Sequence, residues 1–276
     1  MRIDQLLVER GLASSRSQAQ RLIASGVQWR AGTPGVALWK RAAKNGDEVP
    51  DAAEVELLDL SEARYVSRGG LKLEGALKAT ALDVAGLTCL DIGQSTGGFT
   101  DCLLQQGAAL VVGVDVGSGQ LHDQLRSDPR VLCVEQCNAR NLDASGLIAA
   151  WQDSAKAEGE FDAKNAAEAD VDFDGTAQFI TGDLSFISLT LVLPALVPLL
   201  QPGGNLLMLV KPQFELQPGQ VGKGGIVRDP ALYAVVEQRL RDAAADLGLR
   251  VLAWFDSPIA GGDGNREFFI HCRKAL

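Results

Sequence analysis

From Val66 onward, short apolar runs alternate with longer amphipathic stretches. The runs that read as strands are Thr88–Ile92, Leu110–Val116, Val131–Gln136, Phe179–Leu184, Asn205–Val210, Arg250–Phe255 and Phe268–Cys272. The first five are continuously apolar, as expected of strands buried on both faces of a parallel sheet. Helical periodicity fills the gaps, for example over Asp229–Leu247, where Asp229 can cap and Pro230 suits the first helical position. Seven strands with intervening helices predict a doubly wound, Rossmann-like α/β domain. A glycine-rich loop, Ala260–Asn265, joins the last two strands. The final strand is therefore expected to run antiparallel, as an edge hairpin.

Residues 1–60 follow another pattern. Ile3, Leu6, Leu7 and Leu12 give one apolar helical face, which Gly11 can end. Ser14 or Ser15 can cap a second helix, SRSQAQRLIASG, stopped by Gly26. Strand-like pieces follow around Val27–Trp29, Val36–Trp39 and Val55–Leu58. This predicts a small α+β module over 1–60, a linker at 61–65 (SEARY), and the larger domain over 66–276. Arg16, Gln20 and Arg21 fall on or near the polar side of the second helix. Arg16 and Arg21, together with Arg2, Arg64 and Arg68, are the candidate phosphate contacts of a module that binds RNA. The alternative is a capping domain with a solvated, charged helix.

Charge first argues against nucleic acid, since the net charge is −9. Its distribution changes that. Residues 1–80 carry a slight excess of Lys and Arg, while acid concentrates at 153–174, where Asp153, Glu158, Glu160, Asp162, Glu168, Asp170, Asp172 and Asp174 face only Lys156 and Lys164. That stretch is poor in large apolar residues and reads as a solvated, disordered insertion pointing away from any RNA. No apolar run is long enough to span a bilayer, and MRIDQLLVERGL is not a signal segment, so the chain is expected to be cytoplasmic. Five cysteines without a C-x-x-C pair and only two histidines predict buried reduced thiols and no metal site.

The first strand of the larger domain ends in LDIGQSTGGFTD, where Gly93, Gly97 and Gly98 form a tight turn opening a helix. A nicotinamide fingerprint requires G-x-G-x-x-G; here the spacing is D-x-G-x-x-x-G-G, as in enzymes that use S-adenosylmethionine. Candidate cofactor contacts are Asp91, which can balance the methionine ammonium, and the turn Gly93, Ser95, Thr96, Gly97, Gly98 and Phe99. To these add Asp115 for the ribose hydroxyls and Asn138 for adenine. The competing reading is of turn residues between packed elements.

Four further residues stand where a cleft above the strand ends can gather them: Lys72 in SRGGLKL, Asp183 in TGDLSF, Lys211 in LVKPQFE and Glu267 in GNREFF. Methylating a hydroxyl requires that its proton be removed or weakly held while the oxygen attacks. A lysine can act as a general base if desolvation or a second cation lowers its pKa. Alternatively, Lys211 stays charged and stabilises the developing alkoxide. Taken singly, each of the four is an ordinary surface ion pair; the case rests on the set.

SRGGLKL, DIGQSTGGFTD, VDVGSGQL, LRSDPRV, NAR, DLSFISL, VKPQFE, GGIVRD and GNREFF, in this order, resemble the TlyA family of rRNA methyltransferases, within the wider FtsJ-like ribose 2′-O-methyltransferases. The resemblance covers nearly the whole chain. It implies an S-four-like RNA-binding domain at the N-terminus and a Lys-Asp-Lys-Glu catalytic tetrad matching Lys72, Asp183, Lys211 and Glu267. It also implies S-adenosylmethionine as cofactor, and 2′-O-methylation of cytidine in ribosomal RNA within assembled subunits. The chain stops soon after its last strand, as in the shorter members, which leans towards large-subunit RNA alone. The stretch 153–174 is longer than the connection usual in the family. Members have also been called haemolysins, but a membrane-active protein needs an amphipathic, spanning or disulfide-stabilised segment, and none is seen. A non-catalytic RNA-binding or assembly factor would be expected to have lost the tetrad or the glycine turn, and both are present.

Overall fold

The computed structural model describes residues 1–13, 15–32, 37–58, 64–157, 173–261 and 264–276. Two units emerge, Met1–Leu71 and Lys72–Leu276. In the first, the expected apolar face buries Ile3, Leu6 and Leu7 on α1 (Ile3–Glu9), and Leu22 and Ile23 on α2 (Arg16–Gly26). The second helix starts at Ser15, whose Oγ accepts the Gln18 N–H (3.2 Å) and satisfies one of the unpaired donors of the first turn. The helices pack with a small antiparallel sheet ordered β2-β1-β3, made of β1 (Val27–Arg30), β2 (Lys40–Arg41) and β3 (Glu54–Leu57). The strand expected at Val36–Trp39 is instead Lys40–Arg41, and Val36 lies outside the described residues. Residues 61–63 of the expected linker also lie outside them.

In the second unit, α3 (Gly69–Thr80) precedes an alternating series. The series runs β4 (Thr88–Ile92), α4 (Gly98–Gln105), β5 (Leu110–Val114), α5 (Asp123–Arg126), β6 (Val131–Val134), α6 (Ala144–Ala157) and β7 (Ala177–Gly182). It continues with α7 (Leu193–Leu199), β8 (Leu200–Val210), α8 (Pro212–Glu215), α9 (Ala231–Asp246), β9 (Leu249–Asp256) and β10 (Phe268–Lys274). The seven strands form one sheet in the order β6-β5-β4-β7-β8-β10-β9. The first five are parallel, and β4, β5 and β7 are buried almost throughout, as their continuous apolar runs require. This is the seven-stranded α/β fold expected from the sequence.

Three of the parallel strands stop short of their expected ends, while β8 begins at Leu200 rather than Asn205 and β10 runs on to Lys274. β5 stops at Val114 because the Asp115 carboxylate takes the backbone N–H groups of Ser95 (2.8 Å) and Gly117 (2.7 Å), bending the chain out of the ladder. β6 stops at Val134, two residues before Gln136, which has φ +56°. β7 ends at Gly182, so Asp183 stands just beyond the strand. The final strand is antiparallel but is not the edge: β10 lies between β8 and β9, pairing Phe268 with Val210 on one side and with Asp256 on the other. Its first five residues, Phe268–Cys272, are all buried, whereas β9 is half-exposed and forms the edge.

Most of the acidic stretch, residues 158–172, lies outside the described residues. Beyond it the chain returns to the core through Phe173, whose ring meets Trp151 edge-on at 6.1 Å. Cys89, Cys102 and Cys272 are buried as expected; Cys133 and Cys137 are only half-buried, and all five are free thiols. No helix among the described residues is long and apolar enough to cross a membrane.

Candidate active site

The site lies above the carboxyl ends of the parallel strands, where an open α/β sheet leaves its ligand crevice. After β4 the chain turns sharply at Gly93 (φ +83°), where a Cβ would sit 3.0 Å from the Asp183 carbonyl oxygen. Gly97 (φ +93°) caps α4 in the left-handed region, where a Cβ would come within 2.4 Å of Leu125 and 2.7 Å of Leu121. Any side chain at Gly97 would therefore be both strained and overpacked.

The turn borders a cavity of about 510 Å³. Four of the expected cofactor residues, Gly93, Ser95, Asp115 and Asn138, line it. Its apolar wall includes Val114, Val116, Leu184 and Ile187, and its polar groups include the Asp115 carboxylate and the side chains of Gln120 and Asn138. An adenosine fits this chemistry, since its base needs apolar walls and its ribose diol needs a carboxylate acceptor.

The other expected cofactor residues serve the turn from behind. Asp91 is fully buried; its Oδ2 accepts from Thr100 Oγ1 (2.7 Å), which in turn accepts from Gln94 Nε2 (2.9 Å). Among the described residues, Asp91 Oδ1 is buried without a hydrogen-bond partner. Burial pushes the Asp91 carboxyl up to about 7, against the lowering effect of Thr100 and with added repulsion from Asp183 and Asp115. A buried acid with one oxygen unpaired, beneath the glycine turn, suits a nearby ligand cation. Thr96 belongs to the turn itself, and Gly98 is the first residue of α4. Phe99 points into the core, stacked on Phe269 at 6.4 Å, and does not line the cavity.

Lys72, Asp183, Lys211 and Glu267 come together as two ion pairs. Lys72 Nζ meets Glu267 Oε2 at 2.5 Å, with side chains only 9% and 3% exposed. Lys211 Nζ meets Asp183 Oδ1 at 2.6 Å and also donates to Ser185 Oγ at 2.8 Å. The strand order explains the convergence. Lys211 follows β8, Glu267 precedes the antiparallel β10, and the Val210–Phe268 register sets them side by side. Burial raises the Glu267 carboxyl; Lys72 and Lys211 pull it down and Asp183 pushes it up, so both pairs act on Glu267. Asp183 also lines the cavity, which joins the four residues to the candidate cofactor site.

Sequence reasoning missed several neighbours. Phe186 is 90% exposed at φ +63°, lines the cavity and lies 5.0 Å from the ring of Phe214. Glu215 is buried, accepting from Ser188 Oγ at 2.5 Å and from the Leu189 N–H at 2.8 Å, and burial raises its carboxyl. Both residues lie within motifs visible in the sequence, but the contacts that give them meaning span 26 to 28 residues.

In the first unit, Arg2 is bound to the buried Asp4 (2.9 and 2.8 Å), and this hydrogen bonding holds the Asp4 carboxyl below its usual range. Arg16 and Arg64 are exposed; Arg21 and Arg68 are half-buried.

Residues 65–274 match the FtsJ-like methyltransferase family, and residues 1–26 match the S4 domain. The chain is 42% identical over 272 residues to the 16S/23S rRNA (cytidine-2′-O)-methyltransferase TlyA of Mycobacterium tuberculosis, covering 99% of this chain and 89% of that one. It is 34% identical to Hemolysin A of Brachyspira hyodysenteriae, covering 98% of this chain and 99% of that one. A solved structure of a putative hemolysin from Streptococcus thermophilus superposes with a TM-score of 0.69 at 40% identity, covering 100% of this chain and 88% of that one.

Proposed function

The chain belongs to the TlyA family of rRNA cytidine-2′-O-methyltransferases, built from an S4 domain and an FtsJ-like methyltransferase domain, and on that premise we propose that it methylates a cytidine ribose of ribosomal RNA within ribosomal subunits, in the cytoplasm, using S-adenosylmethionine. The observation that carries this reading is that two Lys–carboxylate pairs gather at the strand ends and that one of them, through Asp183, borders the cavity beside the glycine turn.

In this reading Gly93, Ser95, Asp115 and Asn138 hold the cofactor. Asp91, Thr96, Gly97, Gly98 and Phe99 shape the turn that admits it. When bound, S-adenosylmethionine supplies an electrophilic sulfonium methyl. The protein's part is to present the ribose hydroxyl, let its proton pass to solvent, and stabilise the negative charge left on the oxygen until that oxygen takes the methyl and the thioether product leaves. Lys211, fixed between Asp183 and Ser185 and only 13% exposed, is the donor placed for this. Both lysines meet carboxylates, and this supports a reading in which Lys211 stabilises the alkoxide electrostatically instead of taking the proton. Lys72 and Glu267 fix the second side of the cluster. Arg2, Arg16, Arg21, Arg64 and Arg68 of the first unit are the proposed RNA contacts.

The test is methyl transfer to unmodified ribosomal subunits under saturating cofactor, comparing the wild type with Lys211→Ala. Loss of one electrostatic donor typically costs 10²–10³-fold, so a drop of roughly that size in kcat is expected with cofactor affinity unchanged. Full activity in Lys211→Ala would remove Lys211 from the chemistry.

A further inference from the structure

The same edge of the sheet carries a loop that the tetrad does not use. It leaves through α8, directly after Lys211, and runs to Asp229 before α9. Asn265, two residues before Glu267, ties it back. Asn265 is 1% exposed, its Oδ1 accepts the Val227 N–H (2.9 Å), and its Nδ2 donates to the Gly225 carbonyl (2.9 Å). Between these anchors and α8, a turn is closed by the Gly222 N–H bonding to the Ile226 carbonyl (2.9 Å). Arg228 folds over the turn, with its Nε 3.6 Å and its Cδ 3.7 Å from where a Cβ on Gly222 would lie. Lys223 sits on the same turn.

Both cations are exposed, and among the described residues neither is in an ion pair. Several other arginines of this unit are neutralised, Arg126 by Glu135, Arg130 by Asp128, Arg241 by Glu237 and Arg266 by Asp256, while exposed Arg140 and Arg250 are, like Lys223 and Arg228, in no ion pair among the described residues. What sets Lys223 and Arg228 apart in a chain of net charge −9 is that their turn is pinned by Asn265, two residues before Glu267. A polyanion drawn to the tetrad would meet them, and a pre-ordered loop loses little entropy on contact.

We infer that Lys223 and Arg228 form a phosphate-contacting surface that holds the backbone of the substrate RNA at the methyl-transfer edge. This rests on the reading that the substrate is RNA. The experiment uses the full chain and the double variant Lys223→Gln/Arg228→Gln. It reads kcat, KM for unmodified subunits, equilibrium binding of those subunits without cofactor, the salt dependence of that binding, affinity for S-adenosylhomocysteine, and Tm.

The expected result is a rise in KM and in subunit Kd on the order of tenfold, and a log–log salt slope shallower by about two, one for each lost phosphate contact. The kcat, S-adenosylhomocysteine affinity and Tm stay near wild type. Unchanged subunit binding and salt slope would overturn the proposal, as would a fall in kcat or Tm alone, which would mark the loop as purely structural. Binding is measured without turnover. A wild type that binds subunits but transfers no methyl therefore counts against the functional reading only, and the binding comparison still decides the role of the loop.

Discussion

Each lysine of the site owes its position to one carboxylate, and the two pairs differ in what their loss would cost. Lys72 and Glu267 are nearly closed to solvent, so removing one partner strands the other charge in the interior. Glu267→Gln is expected to destabilise the fold by about 3–5 kcal/mol, measured as a fall in the denaturant midpoint. An unchanged midpoint would mean that the pair is better hydrated than its burial implies. Lys211 and Asp183 are more open, so their substitution is expected to show in kcat before it shows in stability.

Asp91 gives a pH signature. Its carboxyl is raised from 3.8 to about 7, so the folded state holds its proton across a range in which the unfolded state releases it. That contribution to stability is full below about pH 4 and is lost as pH rises through about 7. Asp91→Asn is therefore expected to gain stability relative to wild type between acid and neutral pH, on the order of a few kcal/mol, in paired unfolding curves. A pH-independent difference would contradict the buried, protonated acid. The candidate residues Asp183, Lys211 and Glu267 could be singled out in the sequence because they sit at strand ends, and Lys72 because it follows the glycine pair that opens its helix. The direction of Phe99 into the core was not, because it depends on Phe269, which is remote in sequence.

At the scale of elements, two loops carry the Lys211 pair, and they are stitched twice. At the reacting end Lys211 bridges Asp183 and Ser185; below it, Glu215 bridges Ser188 and the Leu189 N–H. Glu215 is thus a positioning residue that acts through the Asp183–Leu189 segment. Glu215→Gln leaves the volume in place but turns one acceptor into a donor, so the Ser188 hydroxyl loses its bond to a carboxylate and must turn to accept from the new amide, while the Leu189 N–H loses a charged acceptor. We expect kcat to fall by about tenfold, roughly 1.4 kcal/mol, with KM for RNA little changed and activity partly restored by Glu215→Asp. A proportional loss of folded protein without a change in kcat would make Glu215 merely structural.

The strands themselves were readable as apolar runs, and their ends failed where side chains competed for the backbone, as Asp115 does. The place of β10 was the larger miss. A terminal hairpin suggests an edge, yet Phe268–Cys272 is buried throughout while Leu249–Asp256 is mostly half-exposed. Both strands carry apolar runs in the sequence, so only strand pairing tells the interior one from the edge.

At the scale of the molecule, composition misleads and distribution informs. A pI near 4.8 describes a poor RNA ligand, but the acid is concentrated in one stretch, and cations gather in the N-terminal module and on the Lys223–Arg228 turn. The two units divide the candidate residues: a small α+β module carrying the arginines proposed to meet RNA, and a sheet whose carboxyl edge gathers the cavity and the two Lys–carboxylate pairs.

The most direct measurement maps the product. Purified protein, S-adenosylmethionine labelled in the methyl group and separated unmodified subunits are incubated, and the labelled RNA is cleaved by alkali. A methyl on a ribose 2′-oxygen blocks cleavage at its own nucleotide, so the account predicts label at an alkali-resistant cytidine of ribosomal RNA. Label on a base, or label released as an alkali-sensitive mononucleotide, would contradict it.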